Sequence, residues 1–139
     1  MPIKVKSLLF IFIFIFLTSC AGTGSKIKPT ISSNSSGTTN LYFVRAGGFI
    51  ASGVLSKVEI NGIEIARLGV KEYVKYPISG NFKIKISGAG IGGLGMGNDA
   101  VSGVADGKNY FYIIGVKQGL LTTKFTIQET TQSGYNQAL

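Results

Sequence analysis

The dipeptide Asn61-Gly62 lies between two short alternating segments, and this pattern restricts the fold more than any other feature of the chain. Asn and Gly tolerate the positive φ angles of a type I′ turn, which connects neighbouring antiparallel strands. The flanking segments are Val58-Glu59-Ile60 and Ile63-Glu64-Ile65. Because strand side chains alternate between the two faces of a sheet, the pattern predicts a hairpin with four side chains towards the core, namely Val58, Ile60, Ile63 and Ile65. Glu59 and Glu64 are predicted to face water, opposite each other.

Short apolar runs separated by glycine, asparagine and proline continue through the rest of the chain. They occupy residues 41–44, 71–76, 82–86, 109–114 and 120–128, where Leu120-Leu121 is interpreted as part of the last strand. The run 109–114 is almost continuously hydrophobic and predicts a strand buried on both faces. Helical periodicity is absent after Cys20, so we expect an all-β fold, a small antiparallel β-sandwich of about seven strands. Its architecture is expected to be immunoglobulin-like or prealbumin-like, without the Cys…Trp…Cys signature, since the chain has no Trp and one Cys.

The N-terminal segment has the organisation of a secretory signal peptide. Lys4 and Lys6 precede ten consecutive apolar residues, 8–17, and small residues follow before Cys20. A basic n-region, an apolar h-region and a small-residue cleavage site together define such a peptide. The apolar run is shorter than the roughly 20 residues that a transmembrane helix needs. The alternatives are plain secretion, an uncleaved anchor, or a core strand with a buried Cys20.

The tetrapeptide Leu17-Thr18-Ser19-Cys20 resembles the lipobox of bacterial lipoproteins. The resemblance implies a diacylglycerol on Cys20, cleavage before it, and a further acyl chain such as palmitate on the new amine. Two or three acyl chains on one residue give stable membrane anchoring. Ala21 and Gly22 follow, and neither is the Asp that resembles an inner-membrane retention signal. The expected location is therefore the cell envelope, at the periplasmic face of the outer membrane.

These patterns divide the chain into four parts: a signal peptide (1–19), lipidated Cys20 with a flexible tether (20–40), the sandwich domain (41–129) and a polar C-terminal tail (130–139). The tether is rich in Gly, Ser, Thr and Asn, and 20 such residues span about 25 Å as a random coil. The tail is expected to be a short helix or disordered.

Composition argues against catalysis, and we predict that the chain is not an enzyme. It has no histidine and no free cysteine once Cys20 is lipidated, which removes the commonest general base and the commonest metal ligands. Glu59 and Glu64 lie on an open face, without the apolar surroundings that tune a catalytic carboxyl. Asn98, Asp99 and Asp106 lack a recognised calcium spacing. No catalytic residue, metal site or cofactor is therefore predicted.

The net charge of +8 becomes +6 once Lys4 and Lys6 are removed with the signal peptide. The lysines are spread singly, which favours a solvated basic surface, and we predict no nucleic-acid partner. Four of them are candidate contacts for an anionic ligand: Lys71, Lys75, Lys83 and Lys85. The tyrosines Tyr42, Tyr73, Tyr76, Tyr110 and Tyr112 are a candidate aromatic platform, although half-buried sandwich positions are the commoner role.

Residues 88–97 form a glycine-rich loop that contains a G-x-G-x-x-G match. Dinucleotide binding needs a helix after this motif in a βαβ unit, and Asn98, Asp99 and further glycines follow instead. The match is interpreted as chance, with no nucleotide bound. Ile91, Leu94 and Met96 are candidates for contact with a partner or a membrane, and the favoured alternative is a mobile connection between strands.

Residues 41–129 resemble a family of bacterial lipoprotein domains of unknown function. The matching segments are Tyr42-Phe43-Val44-Arg45, Val58-Glu59-Ile60-Asn61-Gly62, Tyr76-Pro77-Ile78-Ser79-Gly80 and Gly107-Lys108-Asn109-Tyr110-Phe111. The central part is also similar to PEGA-type repeats and to carboxypeptidase regulatory-like sandwiches. The resemblance implies a non-catalytic, lipid-anchored domain that binds or braces another envelope component, with partners among the membrane, envelope proteins and cell-wall polymers. The alternative is a module that binds cell-wall glycan or lipopolysaccharide.

Overall fold

The computed structural model of the chain describes residues 22–25, 31 and 38–139. The predicted signal peptide, Cys20 and most of the predicted tether lie outside the described residues. The described part contains eight strands and one α-helix. Their bounds are β1 Thr39–Arg45, β2 Ser56–Ile60, β3 Ile63–Leu68, β4 Tyr73–Ile78, β5 Asn81–Gly88, β6 Asp99–Val104, β7 Asn109–Gln118, β8 Thr123–Thr130 and α1 Gln132–Ala138.

The strands form two four-stranded sheets with the orders β4-β1-β7-β8 and β3-β2-β5-β6. This confirms the predicted small all-β sandwich. All pairs are antiparallel except β1 and β7, which run parallel in the centre of the first sheet. The additional strand is β6, which the sequence had assigned to a loop. It contains Gly103, over which the Phe82 ring packs: a Cβ at Gly103 would lie 2.5 Å from Phe82 Cζ.

The main core lies between the two sheets and follows the period-two pattern of the strands. Leu41 and Phe43 of β1 and Tyr112 and Ile114 of β7 project into it from the first sheet. The second sheet and β8 supply the other buried side chains: Val58, Ile60, Ala66, Leu68, Phe82, Ile84, Ile86, Phe125 and Ile127.

The strand directions give the sandwich two different ends. The loops 46–55, 69–72, 89–98 and 119–122 meet at one end, which we call the loop end. The turns 61–62, 79–80 and 105–108 meet at the other, which we call the turn end. Thr39 helps to close the turn end, because its hydroxyl oxygen accepts hydrogen bonds from Asp106 N and Gly107 N at 2.9 and 2.8 Å.

The β2–β3 hairpin has the predicted turn, with φ of 52° at Asn61 and 82° at Gly62. Glu59 lies opposite Glu64, as predicted. The prediction for Ile63 is wrong, because this side chain is 67% exposed at the edge of the sheet. A bulge follows in β3, where Val58 pairs with Ala66 and Glu59 with Glu64, leaving Ile65 as the extra residue. Ile65 is only partly buried, and Ala66 and Leu68 fill the core instead.

Replacement of Gly62 by Val tests this turn. Nothing lies within 4 Å of a Cβ at Gly62, so the cost arises from its φ of 82°, which a β-branched residue rarely adopts. We expect the free energy of unfolding to fall by about 1–3 kcal/mol, measured by urea denaturation. Gly53→Val is the matched control, because Gly53 also has open space but no positive φ. Equal midpoints for the two variants would contradict the turn assignment.

The C-terminal tail is a structural part of the domain. Helix α1 covers the outer face of the first sheet, where Tyr135 is completely buried against Tyr42 and Phe111. Thr131 caps the helix by accepting a hydrogen bond from Gly134 N at 3.2 Å. Ile31 and Leu139 also pack against this cluster. Strand β7 is therefore covered on both faces, as predicted, because the main core covers one face and α1 covers the other.

Residues 22–25 differ from the predicted flexible tether, because they are bonded to the domain. Thr23 N donates to Arg67 O at 2.7 Å, and Ser25 exchanges two backbone hydrogen bonds with Tyr73, at 2.8 and 2.9 Å. Gly22 fits against the 69–72 loop, where a Cβ would lie 2.8 Å from Gly69 N. The composition predicts a flexible segment here. Instead, the two glycines let the backbone of residues 22–25 pack closely on the domain.

Candidate functional site

The first component of the loop end is the 46–55 loop, which Arg45 holds at its base. The Arg45 guanidinium is buried and donates to the carbonyl oxygens of Val54, Ala51 at 2.6 Å and Leu68 at 3.3 Å. It also lies 5.2 Å from the centre of the Phe125 ring. Burial lowers the pKa of Arg45, and the charge of nearby Glu72 partly offsets that effect. With its base fixed, the loop projects Phe49 and Ile50 into solvent.

The second component is the glycine-rich loop, which contacts the rest of the domain at several points. Gly88 and Gly93 touch backbone to backbone, and a Cβ at Gly88 would lie 2.5 Å from Gly93 Cα. A single 3₁₀ turn spans Ile91–Gly93, and the loop connects antiparallel β5 and β6, not the strand and helix of a βαβ unit. Of the three candidate contact residues, Ile91 and Leu94 are exposed, whereas Met96 packs against the main core.

The third component is the turn between β7 and β8. Gly119 N donates to Thr122 O at 2.7 Å, which leaves Leu120 and Leu121 at the tip with their side chains in solvent. The interpretation of Leu120-Leu121 as strand is therefore wrong. Sequence reasoning also did not single out Phe49 and Ile50. One pattern in the sequence could have indicated these exposed tips: an apolar pair between turn-forming residues, as Leu120-Leu121 lies between Gly119 and Thr122.

The three loops are neighbours at one surface. Ala89 N donates to Leu55 O at 2.8 Å, which connects the glycine-rich loop with the 46–55 loop. On its other side, Gly97 exchanges hydrogen bonds with the start of β8, at 2.9 Å to Thr123 O and 3.0 Å from Phe125 N. We call the exposed side chains of these loops the apolar tips: Phe49, Ile50, Ile91, Leu94, Leu120 and Leu121.

The charges of the loop end are predominantly positive. Lys117 and Lys124 lie directly opposite each other on β7 and β8, beside the Leu120 and Leu121 tip. Within the described part of the chain, neither lysine belongs to an ion pair. The nearest carboxylates are engaged elsewhere: Glu72 is buried and accepts from Gly69 N, and Asp99 accepts from Ile127 N. The exposed carboxylates of Glu64, Asp106 and Glu129 lie towards the turn end.

The four candidate lysines for an anionic ligand do not share one face. Lys83 and Lys85 lie on the outer face of the second sheet, opposite the core residues of β5. Lys75 lies on the outer face of the first sheet, 5.6 Å from the centre of the Tyr42 ring. Lys71 donates to Ala138 O at 2.9 Å, at the C-terminal end of α1, where a cation is favoured.

The candidate tyrosines are also divided between environments. Tyr42 is completely buried beneath α1, and Tyr112 is buried in the main core, stacked on Phe43 at 5.4 Å. Burial raises the pKa of Tyr112 to about 12. Tyr73, Tyr76 and Tyr110 are half-buried. The tyrosines therefore contribute to packing and do not form one exposed platform.

The carboxylates of the β2–β3 hairpin have basic partners. Glu64 accepts from Arg67 Nε at 2.6 Å, which lowers the pKa of this exposed carboxyl, and Glu59 lies 3.6 Å from Lys57 Nζ. Asp99 and Asp106 lie at opposite ends of the sandwich and cannot share one ion. In residues 22–25, 31 and 38–139, no group of three potential ligands among His, Cys, Asp and Glu is positioned to hold a metal.

No helix in the part of the chain that the structure describes has the length and apolar character to cross a membrane. Comparison with known proteins adds no assignment. The sequence matches no family model, and no curated protein is similar to it.

Proposed function

We propose that this protein is a lipid-anchored component of the cell envelope whose β-sandwich is non-catalytic and binds or braces another envelope component. The anchor is Cys20, with the preceding Leu17-Thr18-Ser19 as the lipobox. A diacylglycerol and an additional acyl chain on Cys20 hold the domain at the periplasmic face of the outer membrane.

The observation that carries this proposal is the lipobox-like tetrapeptide 17–20. The position of Gly22 against the 69–72 loop then gives the orientation of the domain. Gly22 is only two residues after Cys20, and two residues of extended chain reach about 7 Å. A lipidated Cys20 therefore keeps the loop end at the membrane surface, instead of separating the domain from the head groups by a long tether. The turn end then points away from the membrane and the outer face of the second sheet faces sideways, so both are available to another envelope component.

The outer face of the second sheet supports a bracing role better than a binding cleft for glycan. Acidic and basic side chains are mixed on this face, with Glu59 of β2 opposite both Glu64 of β3 and Lys85 of β5. Lys57 and Arg67 also lie opposite each other on this face. A surface that carries both signs of charge suits contact with another protein surface.

Replacement of Cys20 by Ser tests the anchor. We expect the wild-type mature chain to begin at Cys20, to incorporate labelled palmitate and to fractionate with outer membranes on a density gradient. Cys20→Ser removes the only thiol, so the palmitate label should be lost completely. Thr18→Ala is the matched control, because it changes the same tetrapeptide and leaves Leu17, Ser19 and Cys20. A wild-type chain that is processed and soluble without acyl groups would refute the proposal.

A further inference from the structure

The loop end combines exposed apolar side chains and lysines in an arrangement that the lipid anchor alone does not require. Six large apolar side chains project from three adjacent loops, and Leu94, for example, is 77% exposed. Several large apolar side chains exposed at one end of a domain are a sign of an interaction site. By contrast, the turns Asn61-Gly62 and Ser79-Gly80 at the turn end consist of exposed polar residues and glycines.

We propose that the loop end is itself a membrane-binding surface, whose apolar tips enter the interfacial region of a bilayer that contains anionic lipid. Phe49, Ile50, Ile91, Leu94, Leu120 and Leu121 contact the acyl chains just below the head groups. Lys117 and Lys124 contact the anionic head groups. This inference uses the proposed function in one respect, the lipid attachment at Cys20. The apolar tips and the two lysines are evidence that does not depend on that attachment.

The shape of the loop end favours a bilayer over a protein as its occupant. The apolar groups are pairs on separate, pre-formed loop tips, which can each enter a fluid interface without a complementary rigid surface. Arg45 fixes one of these loops, and the Gly88–Gly93 backbone contact fixes another. Little conformational entropy is therefore lost when the tips enter the lipid.

Charge provides the second argument. Lys117 and Lys124 form a cross-strand pair of like charges, an arrangement that destabilises a sheet unless an anion lies nearby. Anionic lipids attract basic residues at a membrane surface and repel carboxylates. The exposed carboxylates of Glu64, Asp106 and Glu129 lie towards the turn end, away from the proposed membrane contact. Among the described residues of the loop end, Glu72 is buried, and Asp99 is half-buried and accepts a hydrogen bond from Ile127 N.

The geometry of the chain provides the third argument. Gly22 lies against the 69–72 loop, so the predicted lipid attachment at Cys20 and the apolar tips are at the same end of the domain. An acylated Cys20 places the tips at the height of the head groups. The acyl chains and the tips then act as two linked membrane contacts, which strengthens attachment beyond either one.

The first experiment measures binding without the acyl chains. The chain from residue 20, carrying Cys20→Ser, keeps every residue that the structure describes. We expect it to bind vesicles of phosphatidylethanolamine with phosphatidylglycerol, and about tenfold less strongly to vesicles of phosphatidylcholine alone. Absence of binding to both kinds of vesicle would overturn the inference. The palmitate label on wild-type chain is a separate readout, so failure of the anchor and failure of this surface are distinguishable.

Matched pairs of variants locate the surface. Leu120→Ser with Leu121→Ser should weaken vesicle binding by about tenfold or more, because both side chains leave the interface. Ile63→Ser with Val104→Ser removes two exposed apolar side chains near the turn end and should leave binding unchanged. Lys117→Gln with Lys124→Gln should abolish the preference for anionic vesicles, whereas Lys83→Gln with Lys85→Gln should retain it. Equal effects of the test and control pairs would overturn the inference.

Single tryptophans then report depth in the lipidated protein, which contains no native Trp. After reconstitution into vesicles with brominated lipid, fluorescence of Phe49→Trp and Leu120→Trp should be quenched about twofold or more, because interfacial groups enter to about 5–10 Å. Ile63→Trp at the turn end should remain unquenched. Unquenched fluorescence at Phe49→Trp and Leu120→Trp would show that these tips stay outside the bilayer, and would overturn the inference.

Discussion

Tyr135→Ala is expected to lower the free energy of unfolding by about 3–5 kcal/mol, the usual cost of truncating a buried aromatic side chain. Tyr135 packs against Tyr42 and Phe111, with ring centres 6.0 and 5.4 Å apart. Its removal opens a cavity beneath α1 and loosens the helix from the outer face of the first sheet. Urea denaturation of the mature protein measures the loss, and Asn136→Ala on the exposed side of α1 is the matched control.

Tyr135→Phe is expected to behave differently from Tyr135→Ala. The Tyr135 hydroxyl is buried and has no hydrogen-bond partner among the described residues, so its removal should leave stability unchanged or raise it. An Ala variant as stable as the Phe variant would show that the tail does not pack on the sheet.

The same residue gives a dependence on alkaline pH. Burial raises the pKa of Tyr135 above its ordinary value of 10.0. Above about pH 10 the unfolded chain therefore loses this proton while the folded chain keeps it, and stability falls as pH increases. We expect Tyr135→Phe to reduce the slope of this fall, measured by urea midpoints across the alkaline range.

Arg45→Leu is expected to cost about 3 kcal/mol of stability, because hydrogen bonds from a charged group to buried acceptors contribute about 1.5–3 kcal/mol each and are only partly additive. The substitution leaves the carbonyls of Ala51, Val54 and Leu68 without this donor. We also expect faster amide exchange in residues 46–55, since the base of that loop is released. Slow exchange there in the variant would contradict the anchoring role.

Arg67→Leu is the control for Arg45→Leu. Arg67 is exposed and pairs with Glu64 on the sheet surface, where ion pairs contribute little. Its replacement should leave the denaturation midpoint and amide exchange of the 46–55 loop nearly unchanged. The comparison distinguishes loss of a buried cation from loss of positive charge in general.

The features that could be predicted from sequence are local ones. Asn61-Gly62 specifies its turn because the two residues tolerate positive φ whatever surrounds them. The alternation in β5 places Phe82, Ile84 and Ile86 in the core without further information. By contrast, the bulge at Ile65 depends on how β3 fits over the core, and the weak pattern of β6 becomes a strand only through pairing with β5.

The candidate site was less predictable because it is assembled from distant segments. The loop composition predicts Ile91 and Leu94 as candidate contacts, but the hydrogen bonds from their loop to Leu55 and to the start of β8 depend on the tertiary fold. Gly22 and Gly24 suggest flexibility in isolation, and only the neighbouring Glu72 and Leu68 side chains reveal a packing role. Tyr135 looks like one aromatic residue in a polar tail until β1 and β7 are placed beneath it.

The parallel pairing of β1 with β7 has a consequence for the order in which the domain folds. Asn40, near the start of β1, and Asn109, at the start of β7, are partners 69 residues apart, and the two strands form the centre of one sheet. Pairing between distant segments must close a long loop first, and such topologies fold slowly, in milliseconds to seconds. The first strand therefore has no central partner until nearly the whole chain has emerged. If the chain is exported as proposed, this slow pairing would keep it unfolded while it passes through a secretion pore, and the sandwich would be completed afterwards.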